Sequence, residues 1–78
     1  MKYETFQKVV ANEEINDFLK EMFHSGCIMN DQIFLTIIRW SDEIITTEQA
    51  LEELNKEFEF QKEKARTAMR TNETTHKV

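Results

Sequence analysis

The chain has no proline, a single glycine (Gly26) and a single cysteine (Cys27) among its 78 residues. Sheet-rich folds draw on glycine and proline for their tight turns, so this composition predicts helices joined by short polar links. A lone cysteine excludes a disulfide within the chain and fits a reducing compartment. Long apolar runs are missing as well. The longest, Ile33 to Ile38, is broken by Thr36 and falls far short of the ~20 residues that cross a bilayer. The start, Met1-Lys2-Tyr3-Glu4-Thr5-Phe6, carries charge and rings where a secretory leader has an apolar stretch. A cytoplasmic, non-membrane location is therefore expected, and the sequon at Asn72-Glu73-Thr74 is read as chance. Glycine-rich phosphate loops are absent.

What is present can build a core. The hydrophobic content of 40%, with six phenylalanines, is too high for disorder over most of the chain. A chain of this length makes one domain, and such small domains bury only about 60% of the surface the unfolded chain exposes. With disulfides excluded, a second copy or a permanent partner is the natural supplement. The net charge of -5 is unevenly spread. Residues 1–60 hold five Lys/Arg against thirteen Asp/Glu, and residues 61–78 hold five against two. An acidic body thus carries a basic C-terminal end.

The apolar spacing divides the chain into helices. Tyr3, Phe6, Val9 and Val10 form one face of a short first helix. Ile15, Phe18, Leu19, Met22 and Phe23 form another that points elsewhere, so a break belongs near Ala11-Asn12. Asn12 is a suitable N-cap, with Glu13 and Glu14 in the first turn, and Gly26 is placed to end the second helix. Asn30 caps a third segment, about Asp31–Ser41, whose apolar side chains span about 220° and leave Gln32, Thr36 and Arg39 as the polar stripe. Its β-branched content makes a strand the rival reading, and the caps favour a helix. Thr46-Thr47-Glu48-Gln49 reads as a capping box with Ile45 in the staple position. From it runs a heptad-like seam of Thr47, Leu51, Leu54, Phe58, Gln61, Ala65 and Ala68, weak after Phe58.

The expected fold is all-α: a compact bundle of three to four helices over residues 1–70, with a long C-terminal helix and a short flexible tail at 71–78. The expected core is Phe6, Val10, Ile15, Phe18, Leu19, Met22, Phe34, Leu35, Ile37, Ile38, Leu51, Leu54 and Phe58.

Candidate chemistry is sparse. His24 and Cys27 have metal-like spacing, but a structural zinc needs four ligands and only His76 could join them, so neither metal nor cofactor is expected. Cys27 as a nucleophile would need an activating base and a cleft, which short helices rarely enclose. A helix-turn-helix around Gly26 would offer the major groove Ile33, Phe34, Ile37 and Ile38 from an acidic body, so direct DNA binding is disfavoured.

Three features bear on partners. Glu13, Asp17 and Glu21 recur every fourth residue along one helix face, which can steer a basic protein surface into contact. Phe60 falls off the Leu51-Leu54-Phe58 stripe, so the stretch from Phe60 through Lys64 to Met69 is the first candidate for a partner-binding segment. Trp40, at the edge of the broad apolar arc, is the second. The expectation is a small acidic, non-catalytic regulator that occupies a partner protein's surface, alone or as a homodimer. Inhibitors encoded by phages, antitoxins and anti-sigma-type proteins share this size and charge, an analogy of kind only. The alternative is a dimeric nucleic-acid-associated regulator using Lys62, Lys64, Arg66 and Arg70.

Overall fold

Four helices form in chain order in the computed structural model: α1 (Tyr3–Ala11), α2 (Glu13–His24), α3 (Asp31–Ser41) and α4 (Thr47–Lys77). The backbone is described for residues 3–77 and the side chains for residues 3–67. The tail expected at 71–78 and the candidate Met69 lie outside the fully described residues. Among the described residues there is no strand, so the segment 31–41 is a helix, and its β-branched side chains serve helix packing instead.

Each boundary has a local cause. Asn12 stands in extended backbone, accepts a hydrogen bond from the Ile15 amide at 3.0 Å, and so starts α2 one residue after α1 ends. Asn30 does the same for α3 through the Ile33 amide, also at 3.0 Å. The box at the start of α4 is reciprocal: the Gln49 amide donates to Thr46 Oγ1 at 3.1 Å and the Thr46 amide donates to Gln49 Oε1 at 2.9 Å. Ile45 packs against the core beside it.

Both α2 and α3 end in a Schellman turn. The Gly26 amide bonds the Phe23 carbonyl and the Cys27 amide bonds the Met22 carbonyl. At the end of α3, Glu43 bonds Trp40 and Ile44 bonds Arg39 in the same pattern. The left-handed position is Gly26 in one turn, with φ of 96°, and Glu43 in the other, with φ of 63°. A side chain there costs about 1–2 kcal/mol. Glu43→Gly is therefore expected to stabilise the fold by about 0.5–1 kcal/mol after the added chain entropy. Gly26→Ala should destabilise by about 1 kcal/mol although no atom lies within 4 Å of the new methyl. Urea denaturation of the two variants checks both signs.

In the bundle α1 packs on α2 and α3, and α4 packs on the same two, leaving α2 and α3 diagonal to each other. The core is Val9, Ile15, Leu19, Met22, Cys27, Ile33, Ile37, Ala50, Leu54 and Phe58. Phe18 meets Phe58 edge-on, with ring centroids 6.0 Å apart, and locks α2 to α4.

Three expected core residues are outside it: Phe6, Val10 and Leu35 are 56%, 53% and 52% exposed. Phe34, Ile38, Phe18 and Leu51 are only half-buried. The cause is the rotation of α1 and α3. Their contact is made by small polar residues, Ser41 Oγ donating to Thr5 Oγ1 at 3.2 Å, both buried, while Lys8 Nζ donates to the Ser41 carbonyl at 2.6 Å. That turns Thr5 and Val9 inward on α1, and Phe6 and Val10 outward. On α3 the inward residues are Ile33, Thr36, Ile37 and Ser41. Thr36, expected on the polar stripe, is 1% exposed, and its hydroxyl donates to the Gln32 carbonyl at 2.9 Å, so its burial leaves no donor unmet. Arg39, expected on the same stripe, instead ties α3 to α4, with Nη2 3.0 and 3.1 Å from the two carboxylate oxygens of Glu53.

Candidate functional site

The loop between α2 and α3 lies along α4 because two α4 side chains hold it there. The Gln61 amide group serves both backbone groups of Ile28: its oxygen accepts from the Ile28 amide at 2.9 Å and its nitrogen donates to the Ile28 carbonyl at 3.1 Å. One turn earlier Glu57, a buried carboxylate, accepts from Asn30 Nδ2 at 2.7 Å. With its backbone so occupied, the loop turns its side chains outward. Ile28 is 70% exposed and Met29 is exposed beside it. Phe60, the residue before Gln61, is 58% exposed. Ile28 and Met29 on the loop and Phe60 on α4 are thus exposed, and from Lys62 to Thr67 every side chain is exposed.

Phe60 and Lys64, both singled out in the sequence, come together here. The Lys64 ammonium stands 5.7 Å from the centre of the Phe60 ring. Phe60, Glu63, Lys64 and Thr67 line an open, mainly apolar depression on the outer side of α4. A second depression, lined by Gln32, Glu53, Lys56, Glu57 and Phe60, follows α4 back toward α3.

Trp40 does not belong to this surface. It is half-buried against the core, and its indole nitrogen donates to Thr47 Oγ1 at 3.0 Å. Thr47 opens α4, and the thirteen residues from there to Phe60 amount to about 20 Å of helix. Glu13, Asp17 and Glu21 are all exposed on α2, as the spacing predicts, and form a third, separate face.

The basic residues near Phe60 are partly engaged. Lys62 lies 4.1 Å from the centre of the Phe58 ring and 3.1 Å from Glu59, and Arg66 stands 3.6 Å from Glu63. Such exposed pairs are worth about 0.2–1 kcal/mol each and leave the surface mixed in charge.

Cys27 is buried, and burial pushes its thiol above its ordinary pKa; Lys62 opposes that shift and Glu57 adds to it. His24 is exposed. Among the described residues no three His, Cys, Asp or Glu side chains come together to hold a metal ion. The thiol is expected to react with an aromatic disulfide reagent in the folded chain at least about tenfold more slowly than in denaturant. Because the folded state holds this proton more tightly, its contribution to stability is intact below the ordinary thiol pKa. It declines as pH rises through the shifted one.

Ile28, Met29 and the bridging role of Gln61 were not read from the sequence. Gln61 was the one available sign: a polar residue in an apolar seam, there to bind a backbone. Among the described residues no helix is long and apolar enough to cross a membrane. The class these features define, among the described residues, is a four-helix all-α bundle whose last helix carries an exposed Phe60. No family model, curated protein or solved structure matches the chain.

Proposed function

We propose that this is a small acidic, non-catalytic regulator of the inhibitor, antitoxin or adaptor type, acting in the cytoplasm by occupying the surface of a partner protein. The observation that carries the reading is Phe60, a large ring 58% exposed on α4, with Ile28 and Met29 exposed on the loop that Gln61 bonds to the same helix. Large apolar side chains held out from a well-bonded backbone are what a docking surface offers, because little ordering entropy remains to be lost on binding. The acidic row of Glu13, Asp17 and Glu21 favours approach by a basic protein surface and raises the association rate more than the affinity. The nucleic-acid alternative gains less support, since Lys62 and Arg66 already face Glu59 and Glu63.

A tagged chain used to capture proteins from a lysate of its source, with and without nuclease, separates the two readings. Retention of one protein in near-stoichiometric amount despite nuclease, lost with Phe60→Ala, is expected. Retention that disappears with nuclease would move the function to nucleic acid.

A further inference from the structure

We infer that the Phe60 face of α4 receives a second copy of this chain, laid antiparallel across it. The inference rests on the reading of that face as a docking surface: a second copy covers it until a partner protein displaces that copy. Phe60, Glu63, Lys64 and Thr67 stand at the i, i+3, i+4 and i+7 positions of one helix stripe and line one depression. A two-fold axis crossing the helix between Glu63 and Lys64 maps position 60 onto 67 and position 63 onto 64. In that register the Phe60 ring meets the methyl group of the partner's Thr67, and Glu63 meets the partner's Lys64, each contact occurring twice. The stripe is complementary to itself in both bulk and charge, as a two-fold contact requires. Parallel pairing would set Glu63 against Glu63 and Lys64 against Lys64.

The surroundings agree with this geometry. Every side chain from Lys62 to Thr67 is exposed. Within the stripe Glu63 already pairs with Arg66, an exposed and weak contact, and Lys64 lies over the Phe60 ring.

Sedimentation equilibrium of the full chain, from about 1 to about 300 µM in low salt, tests the inference. The expected result is a dimer that Phe60→Ala weakens. Lys64→Glu or Glu63→Lys alone should raise the dissociation constant about tenfold, because each places two like-charged pairs in the contact. The double variant E63K/K64E should restore the wild-type value. Circular dichroism confirms that all variants remain helical. A chain that stays monomeric throughout, or a dimer indifferent to both single reversals, overturns the inference. If a monomeric chain still loses a captured protein on Phe60→Ala, the docking reading stands without it. A dimer with the expected reversal pattern that captures no other protein supports the inference and removes the regulator reading instead.

Discussion

Leu54→Ala is expected to lower the stability of the chain by about 2–5 kcal/mol, enough to leave much of it unfolded at 37 °C. Leu54 is 1% exposed and lies on α4, which like α1 packs on both α2 and α3. Truncating it removes the transfer energy of the side chain and leaves a cavity that neighbouring helices fill only in part. Domains of this size fall at or below the bottom of the usual range of about 5–15 kcal/mol, at about 3–5 kcal/mol, so the loss takes most of the margin. Each kcal/mol corresponds to about 4–8 °C in a domain this small, and the midpoint should fall by about 10 °C or more in a thermal melt followed by circular dichroism. A change of less than about 3 °C would mean that α4 is not the helix that joins the bundle.

The second large effect is expected at Asn30. Its side chain does two things at once: Oδ1 caps α3 at the Ile33 amide and Nδ2 satisfies the buried Glu57. Asn30→Ala removes a cap worth about 1 kcal/mol and leaves a buried carboxylate short of a partner, for about 1–3 kcal/mol more. The combined loss is about 2–4 kcal/mol. Asn30→Asp separates the two roles. It keeps the cap but sets a second carboxylate against Glu57, so its deficit should narrow as the pH falls and one of the two takes a proton. Denaturant titrations of both variants at neutral and acid pH measure the split. An Asn30→Asp variant as stable as the wild type at neutral pH would show that the bond to Glu57 contributes nothing.

The helix boundaries were legible in the sequence because each is set locally. Asn12, Asn30 and Thr46 cap where they should, and Gly26 ends α2 in the one backbone conformation that favours it. The rotations of α1 and α3 were not legible. An apolar arc of about 220° on α3 is wider than its neighbours can cover, so periodicity alone does not choose which part turns inward. Thr5, Thr36 and Ser41 made the choice, as small side chains that satisfy their own hydroxyls and let α1 and α3 approach. The same blindness hid part of the candidate surface. Phe60 could be placed outside the seam by counting, whereas Ile28 and Met29 face outward only because Gln61 and Glu57, 33 and 27 residues away, bond that loop. Glu43 could not be anticipated either, since nothing local distinguishes it from an ordinary helix terminus.

In the proposed function Phe60 serves binding and not the fold, and a paired measurement on Phe60→Ala tests this most directly. The variant should melt within about 2 °C of the wild type, as exposed substitutions do, while retention of the nuclease-resistant partner falls at least about tenfold. A variant that keeps its partner fully, or one that loses partner and fold together, would contradict the assignment of this surface to binding.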